Sequence, residues 1–479
     1  MKIYTDKAIN VAQLSGASYA DIRIVETKRE FIEIKNGGLG GLTNLTSIGF
    51  GVRVLVDGAW GFASSADLSS SEVERVSKLA CETAKASSLV MNNPVSLSTE
   101  KIYHDFWQTP FQIDPFKVHI DDKLKLLYEI DSILRKDEKI YATSSSMDFF
   151  REHKWFASSE GSFIEQDILR SGGGFSCTAV GNNDSQIRSF PASFGGQYKS
   201  MGYELILSLK LAENAEKIRE EAISLLTADV TPSGERDLIL MGNQMVLQIH
   251  ESVGHATELD RVLGFEANYA GTSFASTDKL NNFRYGSDIV NLVADNTVPT
   301  GLSTQGYDDD GIPAQRWHIV KNGILTGYMT NRETSHEINC HQSIGCNRAE
   351  DFYNLPITRI ANLSLMPGKD TLETLIMPID NGILMDCNKS WSIDQKRLNF
   401  QFGCEIAYEI KNGKLGRVLK NPVYQGITPK FWASCDGICN HEYWDLWGVM
   451  NCGKGQPGQT SYMSHGSSPA RFRNVKIGG

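Results

Sequence analysis

"QIHESVGHATELD", residues 248–260, places His250 and His255 five positions apart, with Glu251 directly after the first. Helical zinc sites usually space such a pair one residue closer, as His-Glu-x-x-His with the glutamate as general base. The surrounding segment MGNQMVLQIHESVGHATE (241–258) carries apolar residues at Met241, Met245, Ile249 and Val253, and so reads as a helix with one buried face. On a regular α-helix a step of five leaves the two imidazoles roughly 140° apart, too divergent to share an ion. A local i→i+5 bulge returns them to one face, and Gly254 has no side chain to resist that distortion. If both imidazoles hold a metal, Glu251 sits beside the ion without ligating it. The metal then lowers the pKa of a bound water toward ~7, and the carboxylate takes the proton.

Downstream of this helix the pattern is mostly strands and turns. DIVNLVADNTV (288–298), QRWHIVKNGILTGYM (315–329), GILMDCNKSW (382–391), QFGCEIAYEIKNGKLGRVLK (401–420) and ARFRNVKIGG (470–479) carry strand signals, with Asn322-Gly323 and Asn412-Gly413 as hairpin turns. Upstream, ADIRIVETKREFIEIKNGG (20–38) and SIGFGVRVLVDGAWGFASSA (47–66) alternate apolar and polar residues around the turns Asn36-Gly37 and Asp57-Gly58. SSSEVERVSKLACETAKASS (69–88) reads as an amphipathic helix capped by Ser70 or Ser71, with Val73, Val76, Leu79 and Ala80 as its stripe. Residues 91–116 carry little periodicity and read as a connection. Two further helices are expected over 115–136 and 204–228, around a strand-rich region at 139–200. The turn-bearing stretch DVTPSGERDLIL (229–240) marks the boundary. The expected fold is α+β: an N-terminal mixed α/β domain over residues 1–228, then a mainly β domain over 229–479 that carries the candidate metal-binding helix.

A chain of 479 residues is long for one core and matches two domains. The net charge of −10 disfavours a nucleic-acid surface, which needs clustered Lys and Arg. No run approaches the ~20 apolar residues of a membrane span, and the first residues lack the apolar core of a signal peptide. The nine cysteines are odd in number and scattered, so reduced thiols and a cytoplasmic location are expected.

Several thiols and imidazoles compete for a metal. SHEINCH (335–341) repeats the His-Glu-x-x-x-His pattern with His336, Glu337 and His341, but it lacks the glycine and has polar neighbours, as in a surface turn. CDGICNH (435–441) gathers Cys435, Cys439 and His441 with no second cysteine pair to complete a four-ligand site. MNCGKGQPGQ (450–459) offers Cys452 in a glycine-rich loop, where Lys454 would favour the thiolate. Residue types alone leave the third ligand open.

Five stretches in order settle the resemblance: GFGVRVLVDGAWGFASS, LQIHESVGHATELD, GYDDDGIPAQRWHIVKNGILTGYM, GCNRAEDFYNLPITRIANL and the tail NCGKGQPGQ…RFRNVKIGG. The chain resembles the TldD/PmbA metalloproteases, first labelled modulators of DNA gyrase, over nearly its full length. The resemblance implies one Zn2+ per chain held by His250, His255 and Cys452, with Glu251 as general base. It further implies a TldD-type catalytic subunit, since the motif is kept, cleaving unfolded or small peptides inside an enclosed dimer. The dimer would form with a second copy or with a motif-lacking PmbA/TldE-type homologue. One departure is local: the Cys-Gly-Lys-Gly-Gln reading is a residue shorter after Lys454 than in well-known members. Among secondary candidates, Glu258 suits a hydrogen bond to a ligand histidine, and Arg348 suits either a substrate carbonyl or a loop anchor. Asp308–Asp310 read as an acidic turn, and Tyr443, Trp444 and Trp447 as core or interface. The rival reading is a non-catalytic adaptor whose metal only closes the fold.

Overall fold

A computed structural model describes residues 1–478, so that only Gly479 of the closing segment lies outside. Asn36-Gly37, Asp57-Gly58, Asn322-Gly323 and Asn412-Gly413 all turn with φ between 48° and 81°. Paired positive φ values match the twist of the strands they join. The first two turns build a meander from Tyr19–Lys35, Gly38–Val56 and Ala59–Ser65, which Ile140–Ser158 and Phe163–Gly181 extend into one sheet. His104–Gln108 adds to it parallel to Phe163–Gly181, inside the stretch that reads as a plain connection. As an exposed edge strand it has no buried face, so it carries no alternation to detect.

Strand length organises this half. Tyr19–Lys35 has 17 residues, about 56 Å at ~3.3 Å per residue, and so floors two separate cores. Ala20, Ile22 and Ile24 pack with the helices Lys2–Leu14 and Ser70–Ser88, while Ile32 and Ile34 pack with Ile120–Leu134 and Leu211–Leu225. Three helix expectations change in detail. Ser69, not Ser70 or Ser71, accepts the capping bond from the Glu72 amide, and Leu79 faces solvent while Cys81 and Ala84 complete the buried stripe. The 115–136 stretch begins as a separate turn, Pro115–Lys117, before Ile120–Leu134. The helix expected over 204–228 breaks at Lys210 (φ 49°) into Glu204–Leu209 and Leu211–Leu225. The break lets Ile206 and Leu211 enter the same core from differently directed segments.

The C-terminal half is mostly strands. Asn381–Ile393, Gly234–Leu240, Ala470–Ile477, Val423–Ile427 and Asn399–Lys411 pair in that order, and the last pairs back with the first, closing a ring. The helix Gly242–Ile249 packs into the core of this ring and is buried except for Asn243 and Val246, which are half-buried on one side. Met245, Ile249 and Val253 contribute apolar surface, whereas Gln244, Gln248 and Ser252 recur on another buried face. Buried polar groups need partners: the Tyr424 hydroxyl donates to Gln248 Oε1 at 3.2 Å and Trp432 Nε1 to Ser252 Oγ at 2.9 Å. A two-stranded hairpin, Asp445–Lys454 with Gln459–Ser467, stands against the helix.

The halves meet through buried charge. The face of the first sheet opposite its helices carries Asp21, Arg23, Arg53 and Lys154, all buried. Arg53 pairs with Asp21 at 2.6 Å and with Asp310 at 2.7 Å; Asp309 lies 3.3 Å from Lys154 and 3.6 Å from Arg23. The acidic turn is therefore an ionic clamp onto the N-terminal sheet, with no cation-binding role needed to explain it.

Candidate metal centre

After Ile249 the helix widens into a π-turn over His250–Gly254, and the His255 amide donates to the His250 carbonyl, an i→i+5 bond. That single bond brings the imidazoles to one side, with ring centroids 4.8 Å apart. Gly254 serves a different purpose from the one its flexibility suggests. Its φ of −53° is ordinary helical backbone, but a Cβ there would lie 2.8 Å from Ile360 Cδ1. The missing side chain makes room for Ile360.

Cys452 joins the pair from the hairpin. The ligand atoms of His250, His255 and Cys452 lie within 4.8 Å of one another, and all three residues are buried. Cys452 sits on the strand Asp445–Lys454, not in a loop as its glycine neighbours suggest, and the chain turns over 455–458, where the Gly455 amide donates to Glu266 at 3.0 Å. A bulge between Val449 and Cys452 in the hairpin register shifts the pairing just before the thiol.

Hydrogen bonds fix which imidazole nitrogens face the centre. His465 Nδ1 lies 2.8 Å from the Leu363 carbonyl and can only donate to it, so neutral His465 must accept at Nε2. His250 Nδ1, 2.8 Å from that Nε2, is then the donor, which leaves His250 Nε2 with its lone pair free. His255 Nδ1 lies 2.8 Å from the Glu258 carboxylate, so its Nε2 is freed in the same way and lies 3.5 Å from Cys452 Sγ. Glu258 thus occupies the supporting position that the sequence suggests.

The electrostatics suit a metal-ready set. Burial lowers the pKa of His250 and, more strongly, of His255, and pushes His465 down to about 3, so all three stay neutral. Burial would raise the Cys452 thiol, but its contact with His255 and the Arg359 guanidinium bring it below its ordinary value; with His255 neutral, the lasting charge is that of Arg359. Lys454 contributes otherwise than expected. Its Nζ is buried 2.7 Å from Asp260, 3.3 Å from Glu258 and 2.6 Å from the Thr358 carbonyl, so it buttresses Glu258 instead of acidifying Cys452.

Glu251 lines a cavity of about 330 Å³ together with His250, His255 and Cys452, and its carboxylate accepts a hydrogen bond from Arg397. Arg348 does not reach this cavity: it donates to the carbonyls of Tyr462 and Ile360, both at 2.6 Å, and anchors the backbone behind Gly254. Three contributors escape sequence reading. His465 lies among small residues in SYMSHGSS, Arg359 donates to the Cys452 carbonyl, and Arg397 reaches Glu251 from the hairpin end between Asn381–Ile393 and Asn399–Lys411. The other candidates stay apart. His336 and Glu337 are exposed on a short 3₁₀ turn, with His341 exposed beyond it. Burial pushes the thiols of Cys435 and Cys439 up to about 12, as for core cysteines. Among the described residues, His250, His255 and Cys452 are the one group of this kind.

A His-Glu-x-x-x-His turn, a remote thiol and a carboxylate share one cavity wall and make a candidate metallopeptidase centre. Family models agree: the PmbA/TldA metallopeptidase domain 1 matches residues 20–87, the central domain 113–226 and the C-terminal domain 233–479. The chain belongs to the PmbA/TldD metallopeptidase family. It is 32% identical over 415 residues to a metalloprotease of Methanocaldococcus jannaschii, covering 86% of this chain and 88% of that one. It is 23% identical over 485 residues to a zinc metalloprotease TldD homolog of Saccharolobus solfataricus, covering 99% of both. The crystal structure of TldE from Thermococcus kodakarensis matches with a TM-score of 0.74 at 16% identity over 99% of both chains, a likeness of fold. No helix among the described residues is long and apolar enough to cross a membrane.

Proposed function

We propose that this protein is a zinc-dependent metallopeptidase that hydrolyses unfolded or small peptides, the TldD-type catalytic member of its family. The observation that carries the reading is the convergence of two freed imidazole nitrogens and the Cys452 sulfur beside Glu251 in one cavity. Two nitrogens and one sulfur suit a borderline-soft ion such as zinc. A zinc ion held by His250, His255 and Cys452 would supply Lewis acidity toward a carbonyl and toward water. Glu251 acts as general base and holds the proton taken from water until the leaving amine accepts it. Arg397 holds the Glu251 carboxylate in place, and Glu258 and His465 hold the imidazoles in register.

An extended peptide reaches this centre as an added strand, bound through its main chain. The reading places the chain in the cytoplasm, in a dimer with a second copy or with a motif-lacking PmbA/TldE-type partner, and with no nucleic acid involved. It also divides the chain at 228/229, with the Arg53–Asp310 and Lys154–Asp309 contacts as the seam. Glu251→Gln tests the mechanism. Zinc content stays near one per chain while peptide cleavage falls by ~10²–10⁴-fold, the usual worth of a general base. Undiminished cleavage rejects Glu251 as the base, and full zinc with no cleavage by the wild type favours the adaptor.

A further inference from the structure

Resting on that peptidase reading, we propose that the cavity beside the metal centre selects a large apolar side chain, an aromatic one above all, at a residue flanking the scissile bond. Phe194, Trp391 and Trp447 are the selecting walls.

The lining carries the argument. Away from the candidate ligands, its charged groups are Glu251 and Arg397, which neutralise each other. Val246, Leu247, Val449 and Met450 line the rest with the three aromatic rings and a few amide side chains. A charged substrate side chain entering here finds no free partner and loses its water, while an apolar one gains by leaving solvent. Phe194 and Trp391 are 54% and 47% exposed, yet they meet edge-to-face at 5.5 Å, one from each half of the chain. Such a pair offers a third ring both a face and an edge.

Phe194 is held in place against its own preference. It is a non-glycine residue at φ 60°, followed by Gly195 and Gly196, also at positive φ. The loop is pressed against Phe163–Gly181 so closely that a Cβ on Gly196 would fall 2.1 Å from the Gly173 carbonyl. Arg397, which pairs with Glu251, is likewise at φ 62°. Backbone strain of this kind persists where surrounding structure over-determines it, commonly at functional sites.

A second cavity of about 300 Å³ shares His255, Arg397 and Gly453 with the first, but its other walls include Arg261, Glu266, Tyr269 and Lys454. The metal centre therefore lies between two chambers lined by different side chains, with Phe194, Trp391 and Trp447 confined to the first.

The test is digestion of a matched hexapeptide set by the zinc-loaded protein, with Phe, Leu, Ala or Asp at each position in turn, and cleavage sites read by mass spectrometry. The expected result is a preference of kcat/KM for Phe over Asp of ~100-fold at one position adjacent to the cut, within the range that an apolar pocket can deliver. In Phe194→Ala/Trp391→Ala, two exposed positions whose loss leaves the core intact, the Phe-to-Ala ratio collapses toward one, chiefly through a raised KM for the Phe peptide. Trp391→Phe retains most of the preference. Cleavage with no side-chain preference, or a ratio unmoved in the double variant, overturns the pocket assignment and leaves the peptidase reading standing. Absence of cleavage of every peptide overturns both.

Discussion

His465→Phe breaks the relay that sets the metal-facing nitrogen of His250. His465 is fully buried, bonded on one side to the Leu363 carbonyl and on the other to His250 Nδ1, each at 2.8 Å. A phenyl ring fills a similar space but accepts nothing, so the His250 N–H is left unpaired at a cost of ~1–3 kcal/mol. Zinc binding suffers separately, because nothing then holds the proton on Nδ1. Loss of such a supporting bond weakens metal affinity by ~10–100-fold, about 1.4–2.7 kcal/mol. His465→Gln is the control, since an amide oxygen can still accept from His250. The assay is zinc competition against a fluorescent chelator, with chemical denaturation of the metal-free proteins alongside. Zinc binding should weaken in the Phe variant and recover substantially in the Gln variant. A folded Phe variant with wild-type zinc affinity refutes the relay.

Gly254→Ala sets a methyl 2.8 Å from Ile360 Cδ1, so an overpacking cost of ~1–3 kcal/mol is expected in urea denaturation together with weaker zinc binding; a neutral substitution would mean that Ile360 moves freely. Asp309 gives a pH prediction. Burial alone would raise its carboxyl, but Lys154 and Arg23 prevail and hold it below the usual range. Its stabilising contribution is thus full above ~3.9 and is lost as pH falls through the lower folded value. Asp309→Asn should therefore lose ~3 kcal/mol at neutral pH, by stranding buried cations, and show a shallower stability slope below pH ~4 in denaturation series. Parallel slopes for variant and wild type would remove Asp309 from the clamp.

What was legible depended on whether the signal is local. The i+5 histidine step forces a choice between divergent ligands and a widened turn, so the π-turn over His250–Gly254 could be read from thirteen residues. The Asn-Gly and Asp-Gly turns carry their own geometry in the same way. The helix over 204–228 reads as continuous because nothing near Lys210 disfavours helix; the break comes from distant packing of Ile206 and Leu211. His465 matters only because the hairpin pairs its strand with the one bearing Cys452, and SYMSHGSS gives no hint of that. Ring closure is equally silent, since it joins strands near residues 240, 390 and 470 that share no local pattern. Glycines mislead twice: those around Cys452 suggest a loop where the chain is a strand, and Gly254 suggests backbone freedom where its role is room for Ile360.

Zinc K-edge X-ray absorption on the purified protein, with Cys452→Ala beside it, tests the central claim most directly. One zinc per chain is expected, with one sulfur at ~2.3 Å and two imidazole nitrogens at ~2.0 Å, and with loss of the sulfur shell and most of the zinc in the variant. Stoichiometric zinc bound without sulfur, or a spectrum unchanged by Cys452→Ala, contradicts it.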